Sequence, residues 1–515
     1  MNERIKVLVT GVMLVVFMLI ARHALAPVTD YVADDWSNLM TVDSMSYCDI
    51  IMTSMRDVYR PTYNTFCNLV FRTLGDNPLA HSVLSEFMQA LLVLGVWVFV
   101  WSLSGSGRTG ILAALFFCVL PIINEPFYFH TTSTVLFIPL FYILSLTIYN
   151  KWLDEPKRIY LLVLSCVFYG LAVFGYEYGV FIVPLYYALV LLRKESWKRA
   201  GIYAMPIFAI ACYYLLWRFT KGFGFGLYTI VDGSYYFNEP LTPHFLFQNT
   251  RHLISWWIGF NFWQTMAQGI LGFQTLLPKF QFMVLLINAL VIVLALWAKN
   301  RLSRECPAPN RRHVLFFAMF VVLGYLPFVL SAAHSRHNLF PSIGACALLA
   351  IMTRKKYNDR IKVQIILILL ILMVTSQGLA TYWQDQGTLH RKAYNALSDS
   401  ECRWGDAEII LIDTSSLRYR LTPGLSRTTP IVEYYGPSIL PRSWVYSCML
   451  KLHYPHKVIP TIAMDQDCGA VWSGDVLEWH ERFNPSKPRE TKAESIAVFD
   501  AFGLKFVEPP SIDVP

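Results

Sequence analysis

The stretch "NTRHLISWWIGFNFWQTMAQGILGFQTLL", residues 249–277, decides the fold. It is apolar enough to be taken for a membrane crossing, yet Trp, Gln, Asn and Gly interrupt it. If it crosses, the basic loops before and after it fall on opposite faces of the membrane. If it does not, "KWLDEPKR" (151–158), "RKESWKR" (193–199), "KNRLSRECPAPNRR" (299–312) and "RKKYNDR" (354–360) all lie on one face, with Arg4 and Lys6. Short Lys/Arg-rich loops stay on the cytoplasmic side. The second arrangement satisfies that rule throughout, so 249–277 reads as a re-entrant or interfacial helix.

Working outward, eleven segments approach the roughly 20-residue crossing length: 6–24, 82–103, 109–124, 131–149, 158–174, 177–193, 199–217, 280–298, 313–332, 338–353 and 361–380. The expectation is a polytopic α-helical membrane protein of about eleven transmembrane helices with a cytoplasmic N-terminus. The outward-facing parts are then the first loop (25–80), the 124–130 turn, the 218–279 region and the tail from 381. "ALA" at 24–26 resembles a signal-peptide cleavage site; a retained first span is the preferred reading, and 27–80 faces outward either way. The chain is 55% hydrophobic and 15% charged, against about 25% charged in soluble domains. Its formal charge of +8 sits mostly in the basic loops, so no nucleic-acid partner is expected.

Residues 1–380 read as the membrane domain. The tail, 381–515, is charged and proline-rich, and reads as a small α/β extracytoplasmic domain, with strands expected within 407–416 and 456–465. The ten cysteines show no C-x-x-C spacing, which argues against a zinc ribbon or dithiol motif. Cys48 and Cys67 share the first loop, where a disulfide is an open expectation in an oxidising compartment.

Charged groups near lipid are costly and therefore functional suspects. They gather on the outward side. "YVADDWSNLM" (31–40) supplies Asp34 and Asp35, followed by Arg60. Glu125 and His130 flank the next turn. Tyr176, Glu177 and Tyr178 stand in "FGYEYGVF", Arg218 and Lys221 follow the seventh span, and His334, Arg336 and His337 stand in "HSRHNLFPS". Arginine's planar fork suits phosphate, and a carboxylate suits deprotonation of an attacking hydroxyl. The mixture fits a substrate with a lipid tail and an anionic head.

The order of these features resembles the GT-C superfamily of integral-membrane glycosyltransferases, closest to its protein O-mannosyltransferase-like and bacterial surface-polysaccharide-modifying members. The resemblance covers about 20–353. It rests on the acidic pair after the first span; on Arg60-Pro61 with Gly75, Pro78 and His81; on Glu177; and on Arg336, Leu339, Pro341 and Ser342. It departs from the family pattern in one residue fewer before His81 and in His337-Asn338. The resemblance implies an inverting transferase that moves a sugar from a polyprenyl-phosphate donor to an envelope glycan such as lipopolysaccharide or O-antigen. The setting would be the periplasmic side of a bacterial inner membrane. Asp34 or Asp35 would be the base. Arg60, His130, Tyr176, Glu177, Tyr178, Arg218, Arg336 and His337 would bind substrate, with Tyr176 and Tyr178 stacking on the sugar. Whether a divalent metal takes part is left open. A lipid-linked glycan flippase, or an O-antigen polymerase or ligase, are the competing classes.

Overall fold

The computed structural model describes residues 3–32, 34–57, 60–193, 195–220, 243–302, 311–329, 335–353 and 359–398 of the helical part, and in the tail 409–413, 443–453, 461–463, 471–473, 476–481, 484–492, 495–500 and 505–507. Lys221 and His334 lie outside these residues, as does the side chain of Glu177.

Each expected span has a helix. In chain order they are α1 (Glu3–His23), α2 (Asp34–Asp43), α3 (Tyr47–Asp57), α4 (Pro61–Leu74), α5 (Pro78–Ser104), α6 (Gly107–Val119), α7 (Glu125–Tyr128), α8 (His130–Ser133), α9 (Phe137–Asp154), α10 (Ile159–Val173), α11 (Val183–Leu192) and α12 (Trp197–Thr220). There follow α13 (Pro243–Ile258), α14 (Phe260–Gln274), α15 (Pro278–Leu302), α16 (Arg311–Val329), α17 (Leu339–Met352) and α18 (Asp359–Ser398). Among the described residues, seven helical stretches are long and apolar enough to cross a membrane, and three shorter apolar ones join them. Large apolar side chains such as Leu8, Phe87, Val163, Phe208, Leu286 and Leu315 stand exposed on the helices, as lipid-facing surfaces require. The protein is a multi-pass membrane protein.

The 249–277 stretch is broken. Gly259 separates α13 from α14, and neither helix is among those long enough to cross. The second half packs on α18 through small residues. A methyl added at Gly378 would strike the Gly269 carbonyl, and one at Gly272 the Gly378 carbonyl. Glycine here lets two backbones touch, as in other close helix crossings in membranes.

Polar groups inside the bundle are spent on holding helices together. The amides of Asn288 and Gln377 bond each other reciprocally at 2.7 and 3.0 Å. Arg22, fully buried at the end of α1, donates to the Cys118 and Leu120 carbonyls at 2.7 and 2.5 Å and covers the Phe127 ring. It thereby satisfies carbonyls that the end of α6 leaves open.

The last helix departs from expectation. It does not stop near 380 but runs on to Ser398, so the start of the tail is a rigid continuation of a span. Beyond it the described tail has β1 (Ile409–Asp413), α19 (Ser443–His453), β2 (Thr461–Ala463), β3 (Val471–Ser473), β4 (Val476–Glu481), β5 (Asn484–Lys492), β6 (Ile496–Asp500) and β7 (Lys505–Val507). One sheet is ordered β2-β1-β6-β7, with β1 parallel to both neighbours; the other is an antiparallel β3-β4-β5. The expected strands fall at β1 and β2. Tail and first loop share a core: Tyr31, Trp36, Leu39 and Phe71 pack with Ala393, Leu397, Tyr446, Met449 and Phe499. Cys48 is exposed, Cys67 is buried and both are free, so the disulfide expected between them is not formed.

Candidate functional site

The first-loop end of the bundle begins with the acidic pair. The chain turns at Val32, whose carbonyl accepts from the Asp35 backbone N–H at 3.0 Å. Asp35 Oδ2 reaches back to the Val32 N–H at 2.9 Å. Both acids stand in the first turn of α2, where the helix dipole favours negative charge. Adjacent helical residues point about 100° apart, so the two carboxylates diverge.

Asp35 turns inward. It is fully buried, and its Oδ1 accepts from the Thr131 N–H and hydroxyl at 2.7 and 2.6 Å. Burial pushes its carboxyl up to about 8, against the pull of these donors. Thr131 is gripped further by Asn38 at 2.8 Å and by the Tyr63 hydroxyl, which donates to its carbonyl at 3.2 Å. Asp35 thus ties α2 to α8.

Asp34 is among the charged groups close enough to Tyr63 to act on it electrostatically. It is half-buried. Burial holds the Tyr63 phenol well above its ordinary range; its electrostatic neighbours are Cys67, Arg336, Asp34 and Tyr176, of which the Arg336 cation pulls it back. That hydroxyl marks where the first loop meets the ends of α10 and α16. The join is fixed by the Thr62 N–H, which donates to the Phe174 carbonyl at 3.3 Å.

Around it stand the cations. Arg336 donates to Glu125 at 3.0 Å from its side chain, and at 3.3 Å from its backbone. Arg60 lies 3.6 Å above the Tyr176 ring, a cation–π stack. The Tyr176 hydroxyl lies 3.5 Å from His337 Nε2, and the His337 ring stacks on Phe328 at 4.1 Å. From behind, Trp257 donates to the Tyr325 hydroxyl at 2.5 Å, which donates to Asn338 at 2.6 Å. So α13, half of the broken 249–277 stretch, braces the Arg336–Asn338 turn.

Not every expected residue stands in this group. His130 is buried, with its Nε2 2.9 Å from the Thr29 carbonyl and its ring against His81 and Tyr31. Arg218 donates to the Tyr214 hydroxyl at 3.1 Å. Tyr176 and Tyr178 are nearly fully enclosed. Arg60 covers the first, and Phe340 and Phe328 pack on the second. The sugar-stacking faces expected of them are therefore taken. The Gly75/Pro78/His81 run is a joint: Gly75 has φ +57°, Asn77 caps α5 through Ala80 N, and the Gly75 carbonyl accepts from Tyr31 and lies 3.1 Å from His81 Nε2.

Two participants were not singled out from the sequence, Thr131 and Tyr63; Glu125 stood among its charged suspects without a role. The polar run "HTTST" (130–134) in an apolar context was the available signal for Thr131. Among the described residues no three carboxylate, imidazole or thiol groups converge as a metal-binding set. Asp35 already accepts three hydrogen bonds, from the Val32 and Thr131 N–H groups and the Thr131 hydroxyl.

No family model matches the sequence, and no curated relative does. Solved structures with a loosely similar course include an archaeal oligosaccharyltransferase, AglB from Archaeoglobus fulgidus, in complex with an inhibitory peptide and a dolichol-phosphate. It is 12% identical, with a TM-score of 0.42 over 88% of this chain and 64% of that one. This chain therefore spans less than two thirds of that protein's length. Another is ArnT from Cupriavidus metallidurans bound to undecaprenyl phosphate, 13% identical, with a TM-score of 0.36 over 87% of this chain and 89% of that one. At TM-scores below 0.5 the overlap is too loose to carry a functional inference, and the chemistry rests on this chain's own residues.

Proposed function

We propose that the protein is an inverting glycosyltransferase that takes a sugar from a polyprenyl-phosphate donor and passes it to an envelope glycan, lipopolysaccharide or O-antigen, on the periplasmic side of a bacterial inner membrane. One observation carries this reading: the helix that bears the acidic pair and the turn that bears Arg336 are tied to the same 125–131 segment, through Asp35 to Thr131 at 2.7 and 2.6 Å and through Arg336 to Glu125 at 3.0 Å, at one end of an apolar bundle.

In this reading Asp34, not Asp35, is the base. Asp34 takes the proton of the acceptor hydroxyl as that oxygen bonds to the anomeric carbon. The bond from that carbon to the phosphate oxygen breaks from the opposite face, inverting the centre. The leaving lipid phosphate keeps the bonding electron pair, and Arg336 and Arg60 receive its growing charge. Donors placed in advance at such a position lower the barrier by a few kcal/mol each. Glu125 orients Arg336, and Tyr176 holds Arg60. Asp35 positions Thr131, and His130 packs behind it. The flippase reading is weakened because Asn288, Gln377 and Arg22, polar groups inside the bundle, are bonded within it and do not line a path.

The test uses membranes supplied with labelled polyprenyl-phosphate sugars. Release of lipid phosphate together with a labelled envelope glycan is expected, and its loss in a folded Asp34→Asn protein. Unchanged release in Asp34→Asn removes Asp34 as base. No release with any donor defeats the transferase reading.

A further inference from the structure

A second feature lies on the other side of α2. A cavity of about 100 Å³ opens between the first loop and the tail, lined by Trp36, Asp43, Arg72, Asp76, Tyr394 and Leu452 among others. It has room for several waters at the roughly 10–15 Å³ each needs, which is the scale of one pyranose ring.

Its lining is rich in hydrogen-bonding groups of both kinds. Trp36 is fully buried against it, and among the described residues its indole N–H has no partner, so it forms part of the wall and not an open donor. The Asp43 carboxylate is exposed at the end of α2, while its carbonyl accepts from Arg72 at 2.8 Å. The Tyr394 ring stacks between Trp36 at 4.6 Å and His453 at 3.9 Å. The ring faces are thus occupied, and what the cavity receives are edges, hydroxyls and carboxylates. Arg391 holds Asp76 at 2.6 Å and Asp30 at 3.0 Å, and Arg72 bonds the Asp43 carbonyl, so two cations stand among three carboxylates. The surplus carboxylate disfavours an anion, and carboxylate and guanidinium groups together suit a neutral, hydroxyl-rich ligand that both accepts and donates.

We infer that this cavity is an acceptor subsite that holds one neutral hexose unit of the glycan, with the tail supplying one wall. The assignment rests on the glycosyl-transfer reading for the word acceptor, but the binding does not. Trp36 follows the acidic pair in the same helix, so a hexose here is within a few residues along α2 of Asp34, the proposed base.

Saturation-transfer NMR on the full chain in detergent-free nanodiscs tests it, with the methyl α-glycosides of glucose, mannose and galactose as probes. At least one should receive saturation from the wild type. Tyr394→Phe and Asp43→Asn should each weaken it about tenfold, as loss of one good hydrogen bond does. Asp34→Asn should bind the glycoside unchanged while losing transfer. No saturation of any of the three, or wild-type affinity in both cavity variants, overturns the inference. A wild type that binds the glycoside but transfers from no donor upholds the cavity and sinks the transferase reading instead.

Discussion

The two ends of the bundle carry charge in opposite ways. At the basic end the ion pairs lie at the surface, two of the three between near neighbours in sequence. Arg158 meets Glu155 and Arg199 meets Glu195, three and four residues apart and mostly exposed, while Arg193 at the end of α11 meets Asp154 at the end of α9, both partly open to solvent. At the first-loop end the partners are far apart in sequence and largely enclosed: Asp35 with Thr131, Arg336 with Glu125, Arg391 with Asp30. Exposed pairs contribute little, because water screens them and long side chains resist ordering. Enclosed pairs fix geometry, and breaking one strands a charge. The difference shows which end the chain has spent its structure on.

The sharpest way to break this contrast is at the chemistry. Asp34→Asn should lower lipid-phosphate release about 10²–10⁴-fold, the range for loss of a general base, with folding intact by gel filtration. Arg336→Gln should cost about 10²–10³-fold, the price of a removed charge-stabilising donor. Glu125→Gln should cost less, because the arginine stays and only its aim is lost. Arg199→Gln, at the basic end, should leave release unchanged. If Arg199→Gln and Arg336→Gln reduced release equally, the contrast between the ends would have no functional meaning.

What was legible in the sequence follows the same divide. The helices were readable because each span's apolar run is local. The 249–277 stretch was expected not to cross because four basic loops had to share a face, and in the structure it breaks into two helices at Gly259. That the Asp34 loop and the Arg336 turn would reach the same end of the bundle was expected from topology, and both are tied to the 125–131 segment. Which acid faces which way was not, because that depends on Thr131, nearly a hundred residues away, offering two donors to Asp35. The prolongation of α18 to Ser398 was missed because residues past 380 turn polar. Their partners, Asp30 and Asp76, lie over three hundred residues earlier. Composition reads such a helix as tail, and only the contacts make it a wall of the first loop.

Arg391→Ala should loosen that wall. Arg391 bonds Asp30 and Asp76 and covers the rings of Tyr31, Trp36 and Tyr394. Its loss should cost about 2 kcal/mol, the scale of a lost charged hydrogen bond with partial exposure. Faster protease cleavage near residue 398 would be the readout. Asp35 should give the chain a pH signature. Its folded carboxyl sits near 8, above the usual carboxylate value of about 3.9. Between those values the folded chain holds a proton the unfolded chain has released, so stability falls as pH rises through that window. Thermal melts from pH 4 to 8 should slope downward for the wild type and flatten for Asp35→Asn. An upward wild-type slope would mean that the three donors outweigh burial and hold Asp35 charged.

The smallest effect is the most direct test of the contrast itself. A double-mutant cycle on Arg199 and Glu195 should return no more than about 1 kcal/mol, the range for exposed pairs. The same cycle on Arg391 and Asp30 should return several times more, because both partners are mostly enclosed and the guanidinium is pinned against aromatic rings. The two cycles remove the same chemical groups, a guanidinium and a carboxylate, so side-chain identity cannot explain a difference between them. If they matched, enclosure at the first-loop end would add nothing. Asp34 and Arg336 would then sit on a scaffold no stiffer than the surface loops, and a scaffold of that kind could not hold a carboxylate and a guanidinium to the tolerance that in-line displacement demands.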